Sequence, residues 1–147
     1  MSTPPWWGEL LDTSQVLADR DRAEVDDWRG EPETDDPGVS REPDEDDVPP
    51  LTVRLGMLSH AFTDNAPMMS SEERRRILGV LEHVMAAGSH KDRTAVGTGF
   101  LEAMLAGWDR GFDLHSVWGE LGPESQSFCR LLNEFWGIES PDWMRSV

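Results

Sequence analysis

The feature that most constrains the fold is a helical spacing of apolar residues that begins after residue 50. The first run steps by four, three and four positions, which is one face of an α-helix: Leu51, Leu55, Leu58 and Phe62. Ser70 and Glu73 have the spacing of a capping box, so a second helix is predicted to begin there. Sustained strand alternation is absent from this part of the sequence. Residues 51–147 are therefore predicted to form a compact all-α bundle of four to five helices.

The later helices are predicted mainly from the residues at their ends. A third helix is predicted from about residue 91 to 106. Gly97 and Gly99 within it indicate either a close approach of another helix or a locally weak helix. Asp113 is expected to cap a short helix, and Pro123 suits the first turn of the last one. The predicted buried stripe of this last helix consists of Phe128, Leu131, Leu132, Phe135 and Trp136.

The first 50 residues differ from the body in composition. Residues 31–50 contain five prolines and little apolar material, so we expect them to be extended or disordered. Residues 1–30 carry three tryptophans between charged residues and show no clean helical period. The sequence therefore predicts a Trp-containing arm over 1–30, an acidic linker over 31–50 and a helical domain over 51–147.

Negative charge is concentrated in this first part. The formal net charge is −16, of which residues 1–50 contribute −12 and residues 51–147 contribute −4. Such a surface repels phosphate, so direct binding to nucleic acid or to an anionic membrane is not expected. The expected partner is a basic protein.

Two interpretations of the tryptophan arm stay open. Either it folds back and buries its tryptophans on the helical domain, or it binds a partner, since Trp is enriched at binding hot spots. On the second interpretation, the candidate partner-binding residues of the first 50 positions are Trp6, Trp7, Asp26, Asp27, Trp28, Asp35, Asp36, Asp44, Glu45, Asp46 and Asp47.

Motifs for catalysis, metal binding or cofactor binding are not found. The four histidines and the single cysteine form none of the spacings CxxC, HxxxH or HExxH. Cys129 has no local base, which favours a packing role. An enzyme would become the better interpretation only if His83, His115, Glu102 and Cys129 met in one pocket. We therefore predict no catalytic residues, no metal and no cofactor. The charged triplet Arg74–Arg76 is interpreted as a solvated helix face.

The cellular location is predicted from features that the sequence lacks. A single cysteine cannot form an internal disulfide, and the longest apolar run is far shorter than the roughly 20 residues that span a bilayer. The first ten residues lack the basic start and apolar segment of a secretion signal. We therefore expect a cytoplasmic protein.

One stretch resembles a family of small uncharacterised all-helical bacterial proteins, over about residues 51–137. The segment ILGVLEHVMAAGSHKDRTAVGTGFLEAMLAG, followed by LGPESQSFCRLLNEFWG, carries the resemblance. Its elements are Leu81-Glu82 to Gly88, then Phe100-Leu101-Glu102, then Leu121-Gly122-Pro123. Members resemble proteins encoded near bacterial toxin systems, which implies an immunity or antitoxin-like role. The resemblance also implies that Gly88 and Gly122 form turns and that Phe100 lies in the core. Glu102 is the residue of this set that could face a partner.

The sequence thus favours a non-enzymatic acidic binding protein of the immunity type. It would neutralise a basic protein, such as a nuclease-type toxin, by steric and electrostatic blocking. Two alternatives stay open: a phage-type inhibitor that mimics DNA, and a structural or assembly adaptor. Both a monomer and a homodimer fit, because an exposed Trp arm could exchange between two copies.

Overall fold

The computed structural model describes residues 4–29 and 50–145, and every regular element in these two segments is helical. The predicted all-α class is therefore confirmed. The α-helices are α1 (Pro5–Asp12), α2 (Gln15–Arg29), α3 (Leu51–Asn65), α4 (Ser71–Ala87), α5 (His90–Ala95), α6 (Glu102–Asp109), α7 (Leu114–Trp118), α8 (Pro123–Trp136) and α9 (Asp142–Arg145). A 3-10 turn (Ala66–Met68) follows α3, and a π-helical segment (Val96–Leu101) joins α5 to α6.

Helix ends after residue 50 follow local signals in the sequence. The Ser70 hydroxyl accepts a hydrogen bond from the Glu73 amide at the start of α4, as its spacing predicts. The Asp113 carboxylate caps α7 in the same way. At the other end of α8, Gly137 takes the left-handed conformation with φ 72°, which ends the helix.

The predicted close approach at the glycines is confirmed, and it occurs where the helix widens. A Cβ atom on Gly99 would lie 2.8 Å from Cβ of Leu55, so only glycine lets α3 come this close. A π-helical segment interrupts the normal carbonyl pairing of an α-helix. Two hydroxyls donate to carbonyls here: Ser59 to Phe100 at 2.8 Å, and Thr98 to Thr94 at 2.8 Å.

Helix also forms before residue 30, where the sequence shows no period. Trp6, Trp7 and Leu10 of α1 and Leu17 of α2 are buried and belong to the same hydrophobic core as Phe62 of α3. The described part of the arm, residues 4–29, is therefore helical although its sequence shows no clean helical period. From Leu51 onward the described residues contain seven α-helices, α3 to α9, so the predicted count of four to five is not confirmed. Among the two interpretations of the arm, the structure agrees with the one in which it folds back.

Arg74 organises the turn between α3 and α4 and is not part of a solvated triplet. Its guanidinium donates to the carbonyls of Ala66 and Met69 at 2.9 and 2.6 Å and to the Glu120 carboxylate at 2.8 and 3.1 Å. The hydrogen bond with Glu120 raises the pKa of Arg74, while burial acts in the opposite direction. Arg75 and Arg76 are exposed, as predicted.

The segment that follows α8 folds back onto the helical body. Trp143 of α9 stacks on His115 at 4.6 Å between ring centroids and meets Trp108 and Trp118 edge to face. Met144 is fully buried, and its backbone carbonyl accepts a hydrogen bond from Arg130 of α8. The segment after α8 therefore covers one side of that helix.

Candidate functional site

Two of the predicted partner-binding tryptophans lie in the core. Trp6 and Trp7 are only 8% and 3% exposed, and their rings meet edge to face with centroids 6.0 Å apart. A partner cannot reach these side chains on the folded surface. Their assignment as accessible partner-binding residues is therefore corrected, because their apolar rings gain more from burial between α1 and the rest of the core than from exposure to water.

A buried ion pair holds this N-terminal part in place. Both carboxylate oxygens of Asp21 accept hydrogen bonds from the Arg54 guanidinium, at 2.9 and 2.6 Å, and both side chains are 7% exposed. The guanidinium carbon of Arg54 also lies 4.7 Å from the centroid of the Trp7 ring. Asp21 of α2, Arg54 of α3 and Trp7 of α1 thus connect three helices.

The other predicted partner-binding residues do not form one surface in the described part of the chain. Asp26, Asp27 and Trp28 are exposed at the end of α2, and Trp28 retains 54% of its surface. Glu102 is half-buried at the start of α6. The remaining predicted residues lie outside the described residues: Asp35, Asp36, Asp44, Glu45, Asp46 and Asp47.

The sequence prediction missed an exposed apolar surface at the end of α8. Leu131, Phe135 and Trp136 are 61%, 84% and 39% exposed, and Ile138, just after the helix, is 46% exposed. We call these four residues the C-terminal apolar face. They are four of the seven large apolar residues that are exposed in the described part of the chain. The prediction that Leu131, Phe135 and Trp136 are buried is therefore wrong.

The reason is that α8 turns a different stripe toward the core. Ser125, Cys129 and Asn133 are buried at the four-residue spacing of one helix face. The Glu82 carboxylate of α4 accepts hydrogen bonds from the Ser125 amide at 2.8 Å and the Ser125 hydroxyl at 2.9 Å. It also accepts one from the Glu124 amide at 3.0 Å, so it caps the start of α8.

The other end of the same stripe is also held by polar contacts. The Asn133 side-chain amide donates to the Ser140 hydroxyl at 3.1 Å and to the Met144 sulfur at 3.6 Å. Together with the Glu82 contacts, these bonds fix the rotation of α8 about its axis. The larger apolar residues are left on its outer side. The four-residue spacing of Ser125, Cys129 and Asn133 can be seen in the sequence. The distant residues that bind them, such as Glu82, cannot be deduced from it.

Gly122 shows why this start of α8 requires glycine. A Cβ atom at this position would lie 2.2 Å from the side chain of Glu82. The turn implied by the family resemblance is therefore present, and the approach of Glu82 explains its residue type. Phe100, implied as a core residue, is fully buried.

A groove adjoins the C-terminal apolar face. It lies between α8 and α5, and its volume is about 500 Å³. Phe128 lines it and presses against Gly97 of the π-helical segment, where a Cβ atom would lie 2.5 Å from the ring. Met85 and Leu131 add further apolar surface, so the groove and the face share Leu131.

The charged residues along this groove have both signs. Glu124 and Glu134 line it from α8, ten residues apart, and Arg130 lies between them in the sequence. His90 and Arg93 line it from α5. Neither Glu124 nor Glu134 forms an ion pair with another residue in the described segments.

The residues on which an enzyme interpretation depended do not line this groove. Cys129 is fully buried, and burial raises the pKa of its thiol to about 12, so it stays protonated at neutral pH. His115 is stacked on Trp143, and His83 is exposed on α4. Within residues 4–29 and 50–145, no three His, Cys, Asp or Glu side chains are placed to hold a metal ion.

Comparisons of the chain with protein-family models, with curated proteins and with solved structures find no match. The resemblance to small helical immunity-like proteins therefore stays a prediction. In the described segments, none of the helices combines the length and apolar character needed to cross a membrane.

Proposed function

We propose that this protein is a non-enzymatic binding protein that recognises a basic partner protein through the C-terminal apolar face. The observation that carries the proposal is the exposure of Leu131, Phe135, Trp136 and Ile138 together at one end of α8. Elsewhere in the described segments, exposed large apolar residues are few: Trp28, Val53 and Met68.

The composition of the face supports a protein partner. Contiguous exposed apolar surface is unfavourable in water, and it is typical of protein interaction sites. Leu131 and Phe135 are four positions apart on one helix, so their side chains are neighbours. Trp136 adds an aromatic ring of the kind that is enriched at binding hot spots. Association would cover side chains that folding leaves exposed.

The charge of the chain supports a basic partner. The described residues 4–29 and 50–145 contribute −4 each, and residues 30–49 contribute −8. Charge of one sign raises the rate of encounter with a partner of the other sign. Charge would thus accelerate the encounter, while the apolar face supplies contact area.

An inhibitor of the immunity type fits the same arrangement. An acidic protein that docks its apolar face beside the phosphate-binding surface of a nuclease would block that surface sterically and by charge. This role is supported by the net charge of −16 and by the resemblance, and it specifies what the binding would achieve.

Site-directed photo-crosslinking tests the proposal. The photo-reactive amino acid p-benzoylphenylalanine is placed at position 135 in one variant and at position 68 in another. Met68 is the matched control, since it is an exposed apolar residue (88%) on the 3-10 turn after α3. We expect position 135 to crosslink a basic protein in the native host, with a yield that falls as salt rises, and position 68 to give none.

Equal crosslinking at positions 135 and 68 would contradict the proposal, as would a set of exclusively acidic partners at position 135. A basic partner captured at 135 alone then permits an activity assay. Inhibition of that partner by the wild-type chain, and not by Phe135→Ala, is the result expected for the immunity-type role.

A further inference from the structure

We infer that the groove between α5 and α8 binds an amphipathic α-helix of the partner, with basic residues along the edge that faces α8. This inference rests on the proposed function, because it names the kind of element that the same region recognises. It differs from that proposal in specifying a secondary structure, a charge pattern and a set of contacts.

The shape of the groove matches a helix. One wall is α8, along which the 500 Å³ groove extends from Glu124 to Glu134, and the other is the shorter helix α5, which contributes His90, Arg93 and Thr94. Ten residues of an α-helix rise about 15 Å, so the groove is about three helical turns long. A partner helix laid along it would present apolar residues at positions i, i+3 or i+4, and i+7, the usual anchors of this binding mode.

The floor of the groove provides apolar contacts for such anchors. Phe128 lies across Gly97, where the absent side chain lets the ring sink toward the π-helical segment. Met85 and Leu131 flank it, and Leu131 continues into Phe135 of the C-terminal apolar face. A helix seated on this floor would therefore cover Leu131 and extend over Phe135.

The charges along the walls specify the edges of the helix. Glu124 and Glu134 form no ion pair within the described residues, although they stand beside an apolar floor. Two Lys or Arg residues three turns apart on the partner helix, about eleven positions, would match their separation. Arg130 lies between the two glutamates on α8, and its guanidinium donates to the Met144 carbonyl at 3.1 Å, so the basic residues of the partner must align with Glu124 and Glu134 and not with Arg130. Arg93 on the opposite wall disfavours a basic residue on the other edge.

A second copy of this chain is a poorer occupant. Each copy carries a net charge of −16, so two copies repel one another at a distance. A basic helix is attracted by the same charge. The net charge of the chain therefore selects between two occupants that the apolar floor alone would accept.

A designed peptide tests the inference with the full chain. The peptide has about five helical turns, with leucines at i, i+3, i+4 and i+7 and two lysines three turns apart on one edge. Its fluorescence anisotropy reports binding, and difference circular dichroism reports helix formation. We expect the peptide to bind and become helical, and a version with both lysines changed to glutamate to bind at least tenfold more weakly.

Variants of the chain identify the contacts. Glu124→Gln with Glu134→Gln should weaken peptide binding about tenfold and reduce its salt dependence, which corresponds to two modest ion pairs. Glu72→Gln with Asp109→Asn removes the same charge from exposed positions away from the groove, and should change binding less than threefold. Leu131→Ala should weaken binding, whereas Met68→Ala should not.

Several results would overturn the inference. Binding without helix formation, equal affinity for the lysine and glutamate peptides, or equal effects of the two charge-removing pairs would each do so. Dimerisation of the peptide-free chain in sedimentation experiments that Phe135→Glu abolishes would instead make a second copy the occupant. If no peptide binds while position 135 still crosslinks a basic protein, the helix inference fails and the proposed function stands.

Discussion

The N-terminal helices and the last helix show opposite relations between apolar content and burial. In α1 and α2 the apolar residues form no clean helical period, yet Trp7 and Leu17 are 3% and 0% exposed. In α8, an evident apolar stripe leaves Leu131 and Phe135 61% and 84% exposed. The spacing of apolar residues along the sequence therefore does not by itself decide which of them are buried in this protein. The available partners decide it, and those partners come from distant positions in the chain.

The largest expected effect comes from removing a buried anchor of the N-terminal helices. Trp7→Ala should lower the free energy of unfolding by about 3–5 kcal/mol, because it leaves a cavity in the core. It also removes the ring that lies against the Arg54 guanidinium. Urea unfolding measures the loss. Trp28→Ala is the matched control: it removes a tryptophan that is 54% exposed and should change stability by about 0.5 kcal/mol or less. Similar losses for both variants would contradict the burial assigned to α1.

A smaller effect is expected where α8 meets the π-helical segment. Gly97→Ala places a Cβ atom 2.5 Å from the Phe128 ring, so it should cost about 1–3 kcal/mol and displace the ring toward solvent. Thermal unfolding and peptide binding both report the change. Gly79→Ala is the control, because a Cβ atom at this exposed position of α4 would meet nothing within 4 Å. It should stabilise the helix by up to about 1 kcal/mol. The same sign for both variants would contradict the close contact.

Cys129 tests which side of α8 faces the core. In the unfolded chain its thiol ionises near pH 9.0, whereas burial raises its pKa in the folded protein to about 12. The unfolded state therefore releases this proton first, and stability falls as pH rises from about 9 to about 12. We expect a loss of about 1 kcal/mol by pH 10.

The composition of the chain allows this pH dependence of stability to be assigned to Cys129. It contains no tyrosine and a single lysine, so few other groups titrate between pH 9 and 12. The free energy of unfolding is measured against pH for the wild type and for Cys129→Ala, in which the decline should be much smaller. A thiol reagent should modify Cys129 only as fast as the protein unfolds. Rapid modification of the folded protein would show that this stripe is not buried.

The smallest effect on stability is expected at the C-terminal apolar face. The double variant Leu131→Ala and Phe135→Ala should change the free energy of unfolding by only about 0.5 kcal/mol, since both side chains are mostly exposed. The same variant should lose crosslinking and peptide binding. A loss of several kcal/mol would mean that these residues belong to the core, which would remove the basis of the proposed function.

The comparison also shows how far the sequence could predict the structure. The helix starts at Ser70 and Asp113 followed from local signals, because a cap acts on backbone groups within a few residues. The close approach at Gly97 and Gly99 was predicted from residue type alone. The core face of α2 was missed, since it consists of Leu17 and Asp21 and produces no apolar period.

The candidate site could be predicted only in part. Asp26, Asp27 and Trp28, which were predicted to bind a partner, are exposed. Glu102 is half-buried, and its contact with a partner stays a prediction. The exposed face of α8 was missed because an apolar stripe on a helix normally marks the side that packs against the core. In α8 the neighbouring stripe of small and polar residues is buried instead. The choice between these stripes depended on Glu82, which lies 43 positions before Ser125.

The sequence by itself determined the helical class, several helix starts after residue 50, the glycines needed for close packing and the net charge. Each of these depends on groups within a few residues or on a sum over the chain. Tertiary structure alone decided that Trp6 and Trp7 are buried, that Asp21 pairs with Arg54, and that Leu131 and Phe135 stay exposed. Burial depends on which distant side chain fills the neighbouring space, and no local pattern contains that information.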